Sequence, residues 1–347
     1  MVTKAVLFAP ADRHESTEQS PHALRAPNPR LAMLPVGNRP LVLHALEELS
    51  AAGIHDIAVV SESEVADEVQ GVIDRWPRTK EAKVHVAVDS NCGFLDGLQR
   101  VAPWVGDDSF VVHLCDSLRH DGFATAIADA PAGANDALAV VEAPAEEATP
   151  VRAGLASFRS AGIYVFGPGV LEMAGDFDGT PRWDTQIANA AECLAAGGGQ
   201  LEVRAVQSWW RYRQRPDILL QANRFFLAGL KMQPTEAWLE NTDLQGPVVI
   251  DPTARLRSAT VRGPVIIGPD VEISHAYIGP YSSIGRGVVI ENAEVEHSII
   301  LPGASIKHLG GRLEASVIGA EARIFRDFRL PRAFRLNVGE RAEVAVT

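Results

Sequence analysis

The sequence predicts two domains of different construction: a Rossmann-like, doubly wound α/β domain over residues 1–230 and a left-handed parallel β-helix over 246–347, with 231–245 as linker. Three observations carry this reading. The chain has 347 residues, more than one core usually organises. From Lys4 to about Ala228 short apolar runs alternate with helical patterns, and after Gly246 an apolar residue returns every 17 positions. The change of period marks the change of domain.

In chain order the first half reads "KAVLFA" as a strand, "LVLHALEELSAAG" as a helix closed by Gly53, "HDIAVV" as a strand, "EVADEVQGVIDRW" as a helix and "KVHVAV" as a strand. Later come "DSFVVHL", "DALAVVE" and "SAGIYVFG" as strands, and "RPDILLQANRFFLAGL" as the last helix. Several of these strands are apolar on both faces, as central strands of a parallel sheet are. Ligands of such sheets bind beyond the carboxyl ends of the strands, where strand order reverses. The loop after Phe8 is thereby a candidate rim of the site.

In the second half Ile250, Ile267, Ile284, Leu301 and Ile318 stand 17 residues apart and head "IDPTA", "IGPDV", "IGRGV", "LPGAS" and "IGAEA". Leu256, Ile273 and Ile290, and Val261, Ile278 and Val295, mark two further inward faces. Three inward positions per repeat, each followed by small or turn-forming residues such as Gly268, describe a triangular coil of the hexapeptide type, with about five turns from Gly246 to Ile324.

Composition narrows the function classes. Hydrophobic residues make up 46% and charged residues 22%, the balance of a soluble globular protein. No apolar run reaches the about 18 residues of a membrane span, and Lys4 ahead of a short strand is no secretory leader, so a cytoplasmic location is expected. Cys92, Cys115 and Cys193 lack metal-ligand spacing and read as reduced packing residues. A formal net charge of −12 argues against general nucleic-acid binding, which needs a basic face. It leaves room for one small anionic ligand, a nucleotide or a sugar phosphate.

The segments "MLPVGNRPLVLHALEELSAAGIHDIAVV", "HLCDS", "SAGIYVFGPGVL", "WWRYRQRPDILLQANR" and nearly all of 248–346 resemble the sugar-nucleotide pyrophosphorylases, in particular long-type glucose-1-phosphate thymidylyltransferases with a β-helix tail. The resemblance implies a nucleotidyltransferase fold, association into homo-oligomers or hetero-oligomers, and the joining of a sugar 1-phosphate to a nucleoside triphosphate, a reaction that rests on positioning and charge neutralisation. It also implies where the chemistry should sit, and there the sequence departs from the pattern.

Where the family has a glycine-rich loop with bare amides for the triphosphate, this chain has "APADRHESTEQSP": Pro10 removes a donor, and Glu15 and Glu18 add negative charge. The position of the family's phosphate-binding lysine is Leu31, with Arg30 beside it. Of the two aspartates that hold Mg²⁺ in the family, one is retained as Asp116 and the other falls on Tyr212. In the base-reading loop Asp89 and Gly93 remain while Val88 replaces a glutamine, and the sugar-binding Glu-Lys-Pro is absent from "EAPAEEATPVRAGLASFRS".

Losing one electrostatic contact costs about 2.7–4 kcal/mol, but losing cradle, lysine, metal ligand and sugar anchor together should extinguish the reaction. The expectation is a non-catalytic homologue with a regulatory, scaffolding or partner-subunit role and no cofactor. The alternative is an active enzyme with a rearranged site, using Mg²⁺, with Arg13 or Arg25 in place of the loop and lysine. The ligand-binding candidates are Asp89, Gly93, Asp116, Arg13 and Arg211, with Asp116 the one retained catalytic and metal-ligand candidate.

Bland roles stand beside these. Asp116 reads first as a helix cap, Trp209 and Trp210 as packing, Gly162 as a turn residue, and Arg211, Arg213 and Arg215 as a solvated cluster. His275, His297 and His308 raise acyl transfer on the β-helix as a further alternative, but the coil lacks the projecting loop that such chemistry uses.

Overall fold

The computed structural model describes residues 2–9, 31–78, 80–89, 94–120, 122–131, 133–142, 160–173, 183–207, 209–211 and 218–328. Among them, one compact unit comprises 2–9, 31–34 and 40–211, and a second comprises 35–39 and 218–328.

The first unit begins with β1 (Lys4–Ala9) and continues through helix α1 (Leu41–Ala51); between them in the chain the short strands β2 (Pro35–Val36) and β3 (Arg39–Pro40) pair as a separate ribbon, of which residues 35–39 belong to the second unit. Then follow β4 (Asp56–Glu62), α2 (Ala66–Ile73), β5 (Lys83–Asp89), α3 (Phe94–Val105), β6 (Phe110–Leu114), β7 (Ser117–Arg119), α4 (Ala124–Ile127), β8 (Ala137–Glu142), β9 (Ser160–Phe166), α5 (Trp183–Ala196), β10 (Leu201–Val206) and β11 (Trp209–Arg211). Seven strands make one sheet in the order β10-β8-β9-β6-β1-β4-β5. The βαβ rhythm holds with one exception: β9 runs antiparallel to both β6 and β8.

β1 lies mid-sheet, bonded in parallel to β4 and β6, and is buried from Ala5 to Ala9. With a side-chain period of two, Ala5, Leu7 and Ala9 face a layer holding Val42, Leu46 and Leu49 of α1 and Val69 and Ile73 of α2. Val6 and Phe8 face Phe94, Leu98 and Val101 of α3 and Ile187 and Ala191 of α5. Each fully buried side chain of this size contributes about 1.5–3 kcal/mol. Helix α3 sits close enough that a Cβ on Gly97 would stand 2.7 Å from the Phe8 ring, so only glycine fits there. α1 ends at Gly53, whose φ of +80° lets the Ile54 amide turn back to the Leu49 carbonyl.

The second unit contains α6 (Ile218–Ala228) and a parallel β-helix with three flat sheets. One sheet stacks β12 (Trp238–Glu240), β15 (Arg255–Arg257), β18 (Glu272–Ser274), β21 (Val289–Glu291), β24 (Ser305–Lys307) and β27 (Arg323–Phe325). The next stacks β13 (Asp243–Gln245), β16 (Thr260–Arg262), β19 (Tyr277–Ile278), β22 (Glu294–Glu296) and β25 (Arg312–Glu314). The third stacks β14 (Val248–Ile250), β17 (Val265–Ile267), β20 (Ser282–Ile284), β23 (Ile299–Ile300) and β26 (Val317–Ile318). This is the left-handed β-helix architecture that the sequence repeat predicts, its core filled by Leu256, Ile273 and Ile290 and their equivalents.

Two boundaries and one register differ from the sequence reading. β12 and β13 lie inside 231–245, expected as linker, and pair in register with β15 and β16, so coiling starts at Trp238. Helix α6, expected in the first domain, belongs to the second unit, where the buried Asn223 side chain accepts from Gly37 N at 3.0 Å and Ser283 Oγ at 2.6 Å and donates to the Tyr281 carbonyl. The inner row runs Ile250, Ile267, Ile284, Ile300, Ile318, in steps of 17, 17, 16 and 18. Leu301 is therefore not an inner residue; Ile300 is. The corner after β22 is one residue short, and the segment from Lys307 to Gly311 restores the loss.

Candidate functional site

β6 leaves the sheet at Leu114, and the chain turns through Cys115 and Asp116 into β7. The Cys115 amide donates to the Phe8 carbonyl at 3.1 Å, so this turn sits at the carboxyl ends of β1 and β6, where strand order reverses. Its position comes from the sheet, not from a capped helix. The expected cap role of Asp116 is corrected accordingly, since β7 and not a helix follows it.

Asp116 is 1% exposed, and a carboxylate so buried needs a counter-charge. Arg211 supplies it. β11 pairs antiparallel with β7, setting Arg211 opposite Ser117, and its Nε donates to Oδ1 at 3.2 Å and Oδ2 at 3.1 Å of Asp116. Nη1 donates to the Ser160 carbonyl at 3.3 Å. The guanidinium is thus a buried ion-pair partner, its side chain 8% exposed, and not a solvated charge. Ser160 opens a bulged stretch of β9 in which Gly162 has a φ of +79°; its hydroxyl accepts from Tyr164 Oη at 2.6 Å and from Gly162 N at 3.0 Å.

Behind this turn lies a second polar cluster. Glu48 of α1, His113 of β6 and Arg119 of β7 meet in the layer under the sheet: Arg119 Nη1 donates to Glu48 Oε2, Arg119 N to Glu48 Oε1 at 3.2 Å, and His113 Nε2 lies 3.3 Å from Glu48 Oε2. Arg119 Nη2 also donates to Ser117 Oγ at 3.0 Å and to the Ala161 carbonyl, while Ser117 Oγ donates to the Leu114 carbonyl at 3.1 Å. The cluster therefore pins both ends of the Asp116 turn and the start of β9.

Burial drives the Glu48 carboxyl upward, but the Arg119 charge and the His113 contact outweigh it and hold the group below its ordinary value. Burial likewise lowers His113, against the pull of Glu48, so the imidazole is neutral near pH 7 and its contact is a hydrogen bond to a carboxylate. A carboxylate only accepts, which assigns the ring proton to Nε2 and leaves Nδ1 a buried acceptor with no partner among the described residues. Such an unpaired group costs about 1–3 kcal/mol.

The structure brings together two of the candidates, Asp116 and Arg211. Asp89 ends β5 at the same end of the sheet but two strands from β1. Gly93, Arg13 and Arg25 lie outside the described residues, as do Tyr212, Arg213 and Arg215. Leu31, at the place of the expected lysine, is 1% exposed in a 3-10 turn over Leu31–Met33, an apolar position with no access to a phosphate. His275, His297 and His308 occupy β-helix corners with φ between +47° and +56°, and His308 Nδ1 is 3.0 Å from Asn292 Nδ2. They shape turns. Sequence reading missed Glu48, His113 and Arg119; the available signal was a histidine inside the apolar run "FVVHL", which demands a polar partner once buried.

Residues 31–164 match the MobA-like NTP transferase domain. Along 337 residues the chain is 25% identical to a glucose-1-phosphate thymidylyltransferase of Streptomyces griseus, covering 91% of this chain and 93% of the relative. It is 27% identical to a low-salt glycan biosynthesis nucleotidyltransferase of Haloferax volcanii, covering 90% and 93%. These likenesses support a sugar-nucleotide nucleotidyltransferase family for the chain.

For a nucleotidyltransferase of this family Mg²⁺ is the implied ion, and the residues described do not fit it. Both oxygens of Asp116 accept from a guanidinium, which occupies the acceptors that a dication would use. No helix of the described residues is long and apolar enough to cross a membrane.

Proposed function

We propose that this nucleotidyltransferase-family protein does not catalyse nucleotidyl transfer and serves as a regulatory, scaffolding or partner subunit in sugar-nucleotide or natural-product metabolism, in the cytoplasm. The observation that carries the reading is the Asp116–Arg211 pair: the retained carboxylate is engaged by a cation of the chain itself. A buried pair of opposite charges attracts neither a dication nor a triphosphate strongly. Leu31, buried and apolar, supports the same conclusion for the phosphate-binding lysine. A role without turnover needs assembly, with a second copy or with a related nucleotidyltransferase. Light scattering of the chain alone and mixed with a catalytic relative should report a complex in at least one case.

The decisive experiment is release of pyrophosphate from nucleoside triphosphates with glucose 1-phosphate, beside Asp116→Asn prepared identically. Equal silence, or an equal trace rate in both, is expected. Turnover in the wild type that the substitution abolishes would replace this reading with its rival, an active enzyme with a rearranged site. That rival is favoured by relatives which align over nine-tenths of the chain and are named as transferases.

A further inference from the structure

We infer that Arg211 is a resident cation, seated at Asp116 where the family implies a divalent ion, so that whatever this site binds it binds without metal. The inference deepens the proposed function and rests on the same site. Among the described residues three acceptors hold the guanidinium: the two oxygens of Asp116, at 3.2 and 3.1 Å from Nε, and the Ser160 carbonyl at 3.3 Å from Nη1. Its seat is built from several elements. The β7–β11 pairing aligns Arg211 with Ser117, the residue next to Asp116, and the Glu48–Arg119 cluster fixes that turn from behind through Ser117 and through Ala161, the neighbour of Ser160.

The chemistry follows from charge. Mg²⁺ takes carboxylate oxygens directly and keeps the rest of its shell as water or phosphate. At Asp116 that approach meets a guanidinium already on both oxygens, in a place 1% open to solvent, and placing a dication there brings like charges within a few ångströms. An arginine stays protonated at every working pH, so the occupant does not leave by titration. Removing the guanidinium should turn Asp116 into a weak divalent site, and removing the carboxylate as well should abolish that site.

The test titrates Mn²⁺, followed by loss of the free-ion electron paramagnetic resonance signal, into full-length wild type, Arg211→Gln and the double variant Arg211→Gln, Asp116→Asn. Expected are no loss of signal with wild type, measurable loss with Arg211→Gln, and none with the double variant. Wild-type protein that binds Mn²⁺ and ceases to do so as Asp116→Asn overturns the inference, and so does a folded Arg211→Gln that binds none. Should Arg211→Gln fold only when Mn²⁺ is present, the inference stands; should it fold in neither condition, it falls. The two readings fail separately. Pyrophosphate release without any divalent ion would sink the non-catalytic proposal and leave the resident cation in place, whereas Mn²⁺ bound to an inert wild type would do the reverse.

Discussion

The two units differ in the kind of polar group they bury. In the β-helix the interior is a ladder of aliphatic side chains, the buried polar residues of its strands and corners are neutral serines (Ser282, Ser283 and Ser298), and Asn241, Ser258, His275, Asn292 and His308 all take left-handed φ on one edge of the coil. In the α/β unit, charged groups lie beneath the sheet and at its rim, as Glu48, Arg119, Asp116 and Arg211, with the neutral His113 beside Glu48. A repeat keeps charged residues outside or where its geometry bends, because each coil must present a largely apolar face to the next. A site must bury charge, and the surrounding structure then has to match every charge with a partner. The α/β unit should accordingly fail through unpaired charge and the β-helix through lost packing.

Four measurements can break or sharpen that contrast. The largest effect is expected from Glu48→Ala, which strands the buried Arg119 cation and should cost about 3–5 kcal/mol in denaturant unfolding. Glu48→Gln, retaining shape and one acceptor, should cost less. In the second unit Ile273→Ala, at a fully packed inner position, is expected to cost about 2–5 kcal/mol through its cavity, with loss of hydrogen-exchange protection in the neighbouring coils. An equal loss of protection beneath the sheet of the first unit would show that the two units do not fail separately.

A smaller effect concerns pH. His113 has a folded value below its unfolded one, near 6.5, so the unfolded chain binds the extra proton first and stability falls as pH drops through about 6.5. Glu48, also lowered, adds a second loss as pH falls through about 4.3. His113→Leu should flatten the first phase and leave the second, as read from urea midpoints across pH. The smallest effect is expected at the corner residue His275, whose φ is +51°: glycine there should be neutral or stabilising by up to about 1 kcal/mol. Destabilisation beyond that would assign the imidazole a role that the turn does not explain.

Much of the fold could be read from the chain because both halves are periodic. Val261, Ile278 and Val295 announced an inner face of the coil, and the doubly apolar strand at Ala5–Ala9 announced the centre of a sheet. The register at Leu301 could not be read, since Ile299, Ile300 and Leu301 are consecutive apolar residues and only the length of the His297 corner decides among them. The start of the coil at Trp238 was hidden for a related reason: its first strand is Trp238–Glu240, all exposed, without the buried centre that marks the later ones.

The site divides in the same manner. Sequence alone determined that Asp116 would stand at the end of a strand and that position 31 carries an apolar side chain and no cation, because residue type and place along a periodic element are local properties. Tertiary structure alone decided that Arg211, 95 residues away, would take the carboxylate, and that Glu48 would find Arg119 beneath the same turn. The reason is physical: which cation neutralises a buried carboxylate depends on strand pairing across the sheet, here β7 with β11, and no pattern along the chain encodes the pairing of two three-residue strands.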